Sequence, residues 1–225
     1  MYHVILQVRS SSKRLPLKAF LDFNGVPLVL LILKRIKSDN YKIWVATSTD
    51  KSDDLLANMI KKEGYNCFRG SLENVFLRFK QLININKFKD TDTVIRITGD
   101  NPVVDKFFIN DLIDIWSKKK YKYLNCESFS EESIWPKGLN AEFFKLSYFN
   151  EFSSKYLSSE ELEHVTLMMK KSHSKSFSNY VNLNLEKKIN FSVDTPEDYL
   201  RVRSYFNLFE NNLPYKEIIR KLSDV

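Results

Sequence analysis

Short apolar runs of strand length alternate with segments of helical periodicity, and this alternation constrains the fold of the chain more than any other feature. The strand-like runs lie at 4–6, 42–46, 67–68 and 93–97, and the helical segments cover 27–37, 53–63, 72–88 and 105–118. Such alternation predicts a mostly parallel sheet covered by helices on both faces. The predicted fold class is therefore α/β. Ser71 is the predicted N-cap of the helix at 72–88, and Gly64 the C-cap glycine of the helix at 53–63.

The second half of the sequence is less regular. It predicts strands at 121–124, 141–144 and 189–193, two helices within 147–171, and a closing helix opened by Pro196. A segment rich in Ser and Glu at 127–133 is a candidate lid. No internal repeat, linker or shift in composition divides the chain, so we predict a single domain over 1–225.

The composition excludes several classes of protein. A content of 43% hydrophobic residues in 225 supports a sizeable core and excludes disorder. The longest apolar run, at 26–33, is too short to span a bilayer, and the N-terminus lacks the pattern of a secretory signal, so we expect a cytoplasmic protein with no membrane insertion. Cys67 and Cys126 are too few and too far apart for a disulfide framework or a zinc site.

The chain is basic, with a formal net charge of +7 and an isoelectric point near 9.2. This charge fits an anionic partner, which could be nucleic acid, a membrane surface or a phosphorylated small molecule. The lysines are scattered along the sequence, a pattern typical of solvated helix faces. The sign of the charge alone does not choose among these partners.

A polar loop follows the first predicted strand and carries four cations, Arg9, Lys13, Arg14 and Lys18. Loops at the carboxyl ends of strands bind ligands in open α/β sheets. Arginine forks, lysine ammonium groups and backbone N–H groups together suit a triphosphate. The loop contains no glycine and is not a P-loop. The alternative is a basic turn that is merely exposed to solvent.

Two aspartates follow predicted strands and are candidate metal ligands. Asp100 lies directly after the run at 93–97, and Asp194 directly after the run at 189–193. Carboxylate oxygens are ligands that Mg²⁺ prefers, with phosphates and water completing the shell. The segment 194–198 also reads as an ordinary helix start, which explains Glu197 and Asp198 but leaves Asp194 free. His164 lies on a predicted helix, where a structural role is the alternative to a catalytic one.

Taken in order, several motifs resemble those of the cytidylyltransferases of glycosyltransferase-A-like fold. The most similar group is the spore-coat polysaccharide biosynthesis cytidylyltransferase family, which is related to the 3-deoxy-manno-octulosonate and acylneuraminate cytidylyltransferases. The motifs are QVR at 7–9, RLPLK at 14–18, VAT at 45–47, FRGS at 68–71 with Arg78, RITGDNP at 96–102, EHVT at 163–166 and VDTPED at 193–198. The resemblance covers nearly the whole chain. It implies a Rossmann-like three-layer αβα sandwich, the nucleotide-diphospho-sugar transferase fold, with a small subregion for dimerisation and acceptor binding.

The same resemblance implies roles for particular residues. The nucleotide part, about 1–120, would bind CTP through Gln7, Arg9, Ser12, Arg14, Lys18, Thr47 and Arg78, with Arg9 and Lys18 catalytic. Asp100 and Asp194 would hold the cofactor Mg²⁺. The acceptor part, about 121–190, would use Asn140, Glu142, Glu163 and His164, and a homodimer would form through about 147–171. The sequence departs from many members of this family at three positions. Glycine is frequent where Leu17 stands, and acidic residues are frequent where Asn74 and Asn140 stand.

The predicted reaction is transfer of CMP from CTP to a sugar acid or related sugar acceptor, with release of pyrophosphate, for surface polysaccharide biosynthesis. A sugar phosphate or alditol phosphate is an alternative acceptor, and transfer of UMP or GMP is an alternative reaction. A basic nucleic-acid-binding protein and a non-catalytic scaffold subunit are further alternatives, although the first has no use for aspartates at strand ends. We expect the partners to be CTP and the acceptor, with no nucleic acid.

Overall fold

The structure is a computed structural model of the 225-residue chain and describes residues 1–126, 135–172, 176–181, 183, 185 and 188–223. The candidate lid at 127–133 lies outside the described residues. The strands are β1 (Tyr2–Gln7), β2 (Asp22–Phe23), β3 (Val26–Pro27), β4 (Lys42–Ser48), β5 (Asn66–Gly70), β6 (Thr93–Thr98), β7 (Tyr123–Leu124) and β8 (Glu142–Lys145). The α-helices are α1 (Leu28–Arg35), α2 (Asp54–Lys62), α3 (Val75–Ile85), α4 (Lys106–Ser117), α5 (Leu146–Asn150), α6 (Ser159–Glu163), α7 (Leu167–Lys171), α8 (Pro196–Leu208) and α9 (Tyr215–Ser223).

Within the described ranges, six strands form one sheet in the order β5-β4-β1-β6-β8-β7. The first four are parallel to one another, whereas β8 is antiparallel to both β6 and β7. The chain passes from β1 outward through β4 and β5, and then returns to place β6 on the other side of β1. The sheet therefore has its topological switch point between β1 and β6, where open α/β sheets bind ligands.

Alternating side chains of β1 divide the core into two layers. Val4 and Leu6 belong to an apolar cluster that includes residues of α1, α2, α4, α8 and α9. Ile5 points to the opposite face and joins a second cluster with residues of α3, α5 and α7. Both faces of the sheet are thus covered by helices, which confirms the predicted three-layer α/β fold.

The predicted elements of the first half are confirmed to within a few residues, with one exception at a helix start. Gly64 has the positive φ of +81° expected just beyond a helix end. The N-cap of α3 is Asn74, whose side chain accepts a hydrogen bond from the Leu77 N–H at 2.8 Å, so the prediction of Ser71 was wrong. Ser71 instead accepts from the N–H of Asn74 and fixes the turn before the cap.

The second half differs more from prediction. Residues 189–193 form no strand. Their backbone makes isolated bonds instead: the Lys137 N–H donates to Ile189, the Phe191 N–H donates to Lys137, and the Val193 N–H donates to the Asp100 carbonyl at 2.9 Å. Three short α-helices, α5, α6 and α7, occupy the region predicted to hold two. The homodimer expected there stays a prediction, as does the division of the chain into nucleotide and acceptor parts. Pro196 opens α8 as predicted.

A helix and a hairpin within the described residues were not predicted. Helix α9 follows α8, and the strands β2 and β3 form a hairpin around Asn24 and Gly25. Asn-Gly is a strong hairpin signal, since both residues accept the positive φ that the tight turn requires, here +53° and +79°. Among the described residues, no helix is long and apolar enough to cross a membrane.

Candidate functional site

A cavity of about 370 Å³ opens at the carboxyl ends of β1 and β6, at the topological switch point. Its walls come from β1 and the loop after it, the first turn of α3, β6 and its following turn, the end of α6, and the turn before α8. The lining side chains are those of Gln7, Val8, Arg9, Ser12, Lys13, Arg14, Lys18, Val75, Arg78, Arg96, Thr98, Gly99, Asp100, Glu163, His164 and Asp194. Six are cationic and three are carboxylates, so the cavity has a net positive character that suits an anionic ligand.

The loop after β1 is anchored by a buried aspartate. One carboxylate oxygen of Asp53 accepts from the Ser10 N–H at 2.7 Å, and the other accepts from the Ser48 N–H at 3.0 Å and from the Ser48 hydroxyl. Asp53 is fully buried. Burial raises its pKa, but the hydrogen bonds from Ser48 and Ser10 outweigh burial and bring the pKa below its ordinary value. The carboxylate therefore ties the start of the loop to the end of β4.

The backbone of the loop turns at Leu17. This residue has φ +58°, in the left-handed region that leucine adopts only at a cost of roughly 1 kcal/mol. Its N–H donates to the Ser10 carbonyl at 3.0 Å, which closes the loop. A glycine would adopt the same conformation freely.

The ammonium group of Lys18 joins the two candidate metal ligands. Its Nζ lies 3.3 Å from Asp100 Oδ2 and 3.4 Å from Asp194 Oδ1. It also donates to the Val193 carbonyl at 3.2 Å. The three side chains lie 82 and 176 residues apart in the sequence, yet they meet at one point on the cavity wall.

Asp194 is held on several sides. The capping box of α8 fixes its backbone, because the Asp198 carboxylate accepts from the N–H groups of Asp194 and Thr195. Its own carboxylate accepts from the Ser192 hydroxyl at 3.0 Å and lies 3.0 Å from the Arg14 guanidinium. Burial raises the pKa of Asp194, but Lys18, Ser192 and Arg14 outweigh it and lower the pKa.

The place where Lys18, Asp100 and Asp194 meet has side chains that suit a divalent cation. Asp100 and Asp194 present hard carboxylate oxygens on the same cavity, and a positive group already lies between them. The described part of the chain contains no group of three His, Cys, Asp or Glu side chains arranged as metal ligands. Two carboxylates are the number that Mg²⁺ commonly takes from a protein when substrate phosphates supply further ligands.

The rim of the cavity is closed by an ion pair between distant segments. Arg9 NH2 lies 3.2 Å from Glu163 Oε1, and both side chains are partly exposed. His164 follows on the same rim and is exposed. The turn continues through Val165, whose φ of +47° is unusual for a β-branched residue, and the Thr166 N–H donates to the His164 carbonyl. The loop that carries Glu163 and His164 is thus tightly folded.

Two residues that sequence reasoning missed organise the inner part of the site. Asp53 was interpreted only as a helix start, although an aspartate next to a strand end is also typical of a loop anchor. Arg96, on β6, lines the cavity and pairs with Glu142 on β8. Its position in the motif at 96–102, two residues before Thr98 on the same face of the strand, is the signal that could have found it.

The predicted site residues divide into two groups. Gln7, Arg9, Ser12, Arg14, Lys18, Arg78, Asp100, Glu163, His164 and Asp194 line the cavity. Thr47, Asn140 and Glu142 do not. Thr47 is buried at the end of β4, and the Glu142 carboxylate is buried behind Arg96.

Arg78 has a structural task besides lining the cavity. Its guanidinium donates to the Ser71 carbonyl through Nε at 2.8 Å and to the Leu72 carbonyl through NH2 at 3.0 Å. The side chain is 1% exposed, and this burial lowers its pKa to about 10. It therefore holds the turn that leads into α3.

The sequence matches the cytidylyltransferase family over residues 3–222. It is 28% identical to an uncharacterized protein of Methanocaldococcus jannaschii over 96% of this chain and 87% of that protein. It is 26% identical to the spore coat polysaccharide biosynthesis protein SpsF of Bacillus subtilis over 90% of this chain and 85% of that protein.

Two solved structures share the fold. A cytidylyltransferase from Leptospira borgpetersenii superposes with a TM-score of 0.84 at 23% identity, covering 99% of this chain and 94% of that one. CMP:2-keto-3-deoxy-manno-octonic acid synthetase, solved with CTP, superposes with a TM-score of 0.62 at 14% identity, covering 92% of this chain and 98% of that one. With a family match that spans nearly its whole length, the chain belongs to the cytidylyltransferase family and is a CTP-dependent nucleotidyltransferase.

Proposed function

We propose that the protein transfers CMP from CTP to a sugar-type acceptor and releases pyrophosphate. The observation that carries the proposal is the convergence of Lys18, Asp100 and Asp194 at one point of a basic cavity, beside the loop after β1. Cations and carboxylates in this arrangement suit a nucleoside triphosphate together with a divalent metal. Membership of the cytidylyltransferase family supports CTP as the nucleotide.

In this proposal the loop after β1 binds the triphosphate. Arg9, Arg14 and Lys18 neutralise the phosphate oxygens, and the hydroxyl of Ser12 and backbone N–H groups of the loop add hydrogen bonds. An acceptor oxygen attacks the α-phosphorus, and the bond to the β-phosphate breaks as pyrophosphate leaves. Because such a transfer asks the protein mainly for positioning and charge neutralisation, no covalent intermediate with the protein is needed.

The cofactor in this proposal is Mg²⁺, held by Asp100 and Asp194. When bound, it would supply Lewis-acid polarisation of the phosphate oxygens and neutralise developing charge. The chain's own contribution is to hold both carboxylates in place. Ser192 and Arg14 do so for Asp194, and the Thr98 hydroxyl does so for Asp100, to which it donates at 2.6 Å.

The acceptor is proposed to be a sugar acid or a related sugar, bound on the side of the cavity formed by Glu163 and His164. The similarity to a spore coat polysaccharide biosynthesis protein and the shared fold of a sugar acid synthetase favour this class and a role in surface polysaccharide biosynthesis. Glu142 lies behind this wall, where it contacts Arg96 and Thr166. The proposed role of Glu142 and of Asn140 is to shape the acceptor side.

Pyrophosphate release tests the proposal directly. Purified protein is incubated with Mg²⁺, each of CTP, UTP, GTP and ATP, and a panel of sugar acids and sugar phosphates. We expect pyrophosphate only with CTP and one class of acceptor, and none after chelation of the metal. Equal release with UTP or GTP would contradict the proposed specificity for CTP. If no nucleotide binds in a thermal-shift screen, the proposal is refuted.

A further inference from the structure

Arg96 lies on the cavity wall, inward from the loop that follows β1. It is on β6, two residues before Thr98, so about 7 Å of strand separates it from the residue that donates to Asp100. Its backbone pairs in register with Glu142 on β8, and its side chain is 11% exposed. Among the described cations that line the cavity, Arg96 is the one that lies on a strand, and it is paired with β8.

The guanidinium of Arg96 is fixed on two sides. Its Nε donates to Gln7 Oε1 at 2.9 Å, and its NH1 donates to Glu142 Oε2. Among the described residues, its NH2 has no hydrogen-bond partner and is not enclosed by protein. Since Arg96 lines the cavity, this nitrogen is available to a ligand there. Fixing two nitrogens of the planar group also fixes the direction of the third.

Glu142 links this arginine to the acceptor side of the site. Its other oxygen accepts from the Tyr123 hydroxyl at 2.9 Å and from the Thr166 hydroxyl at 2.8 Å. Thr166 ends the tight turn that carries Glu163 and His164 onto the cavity rim. One buried carboxylate therefore sets the position of Arg96 and of the rim loop together.

A buried ion pair of this kind is poorly explained by stability alone. Removing two charges from water costs as much as their attraction returns, so a buried pair is weak evidence for a stabilising role. The nucleotide does not explain it either, because Arg9, Lys13, Arg14 and Lys18 already provide cations along the loop after β1.

We propose that Arg96, oriented by Gln7 and Glu142, binds an anionic substituent of the acceptor, which is therefore a sugar derivative that carries a carboxylate or a phosphate. This inference rests on the proposed function, since it assigns the acceptor of the same reaction. Gln7 and Glu142 are positioning residues in it. Carboxylate and phosphate both accept hydrogen bonds from a guanidinium, and the experiment distinguishes them.

The test measures equilibrium binding by calorimetry in the presence of CMP, so that no turnover is required. The probes are two matched pairs: 3-deoxy-manno-octulosonate and its methyl ester, and ribitol 5-phosphate and ribitol. We expect wild-type protein to bind one of the anions and neither neutral partner. Arg96→Gln should weaken binding of that anion by about 10- to 100-fold, the loss expected for a charge-assisted hydrogen bond.

Two controls separate this inference from the proposed function and from folding. CTP binding, measured without acceptor, should stay within about twofold of wild type in Arg96→Gln, as it should in Arg220→Gln, which removes the same charge from an exposed pair on α9. Arg96→Gln leaves Glu142 buried without its cation, so the double variant Arg96→Gln with Glu142→Gln removes both charges and preserves shape. It should lose anion binding to the same extent.

The outcomes are distinct. Binding of the acid alone assigns a carboxylate, and binding of ribitol 5-phosphate alone assigns a phosphate. Equal binding of an anion and its neutral partner, no binding of either anion to wild type, or unchanged anion binding in both Arg96 variants would overturn the inference. So would a selective loss of CTP binding in Arg96→Gln, which would place Arg96 in the nucleotide site. Failure of wild-type protein to bind CTP would instead refute the proposed function.

Discussion

At the residue scale, Lys18 is the side chain on which the proposed chemistry depends most. Its ammonium group contacts both Asp100 and Asp194 and lies beside the loop that would bind the triphosphate. Removing one preorganised charged donor costs about 10²- to 10³-fold in turnover. We therefore expect kcat of Lys18→Ala to fall by that factor at saturating CTP and Mg²⁺, measured as pyrophosphate release. Lys34→Ala, which removes an exposed lysine of α1, is the control, and wild-type turnover of Lys18→Ala would refute the role.

Replacing the buried Asp53 should lower the stability of the protein. In Asp53→Asn one carboxylate oxygen becomes an NH₂ donor that faces another donor, either the Ser48 or the Ser10 N–H. An unmade buried hydrogen bond costs about 1–3 kcal/mol, and we expect the free energy of unfolding to fall by that amount, with weaker CTP binding. The adjacent Asp54→Asn removes an exposed ion pair with Arg69 and should cost less than about 1 kcal/mol.

The lowered pKa of Asp53 adds a pH dependence to this comparison. A carboxylate whose pKa is lowered by folding stabilises the protein at pH values above its pKa in the unfolded chain, near 3.9. This contribution is lost as the pH falls through the lower pKa that the group has in the folded protein. The stability difference between wild type and Asp53→Asn should therefore be constant from pH 7 to about pH 5 and shrink below about pH 4. Urea unfolding at each pH measures it, and a difference that grows in acid would contradict the assignment.

The buried His3 should make the free energy of unfolding depend on pH near neutrality. Its ring is buried against Phe88, its Nδ1 accepts from the Trp44 indole N–H at 3.2 Å, and its Nε2 lies 3.2 Å from Asp92. These contacts fit the neutral ring with its proton on Nε2, because a proton on Nδ1 would face the Trp44 donor. Burial lowers the pKa of His3 and outweighs the opposing effect of Asp92.

Because folding lowers the pKa of His3, the unfolded chain binds more protons than the folded protein below about pH 6.5. The free energy of unfolding should therefore decrease as the pH falls from 8 to 5.5, and His3→Gln should show a smaller slope. Calorimetric or urea unfolding checks the slopes, and NMR titration of the His3 ring checks the pKa directly. A ring that titrates above its ordinary value would contradict the argument.

At the element scale, Gly138 decides how the segment before α8 reaches the site. It has φ +82°, and a Cβ placed on it would lie 2.6 Å from the Phe191 carbonyl carbon and closer still to the Ser192 nitrogen. Gly138→Ala should thus separate these two segments and displace Asp194. We expect it to cost at least about 3 kcal/mol of stability, as strain at a special backbone position does.

A matched variant isolates the steric part of this effect. Gly25, in the turn of the β2–β3 hairpin, has φ +79° and nothing within 4 Å of its hypothetical Cβ. Gly25→Ala carries the same left-handed backbone cost, roughly 1 kcal/mol, without the clash. Chemical denaturation of both variants should show the larger loss in Gly138→Ala, and equal losses would mean that the contact with 191–192 has no energetic importance.

The elements differ in how far the sequence determines them. Strand runs such as 42–46 and 93–97 were predictable because short, nearly continuous apolar runs between helical segments favour a central parallel strand. The run at 189–193 looks the same in the sequence, yet it joins no strand, and its backbone bonds Lys137 and Asp100 singly. Whether an apolar run finds a neighbouring strand depends on tertiary packing, which periodicity does not encode.

At the scale of the whole molecule, the sequence indicated which strand ends would carry charged side chains, and the switch point between β1 and β6 explains why these side chains meet. The link from Lys18 to Asp100 and Asp194 was therefore foreseeable in outline. Asp53 and the Arg96–Glu142 pair were missed, because their importance comes from partners 43 and 46 residues away that only the folded sheet brings together.

A crystal structure of the protein with CTP and Mg²⁺ would show where the nucleotide and the metal bind. We predict the triphosphate on the loop after β1, within hydrogen-bond distance of Arg9 and Lys18, with the metal on Asp100 and Asp194. A nucleotide bound elsewhere on the molecule, or a metal that contacts neither aspartate, would contradict it.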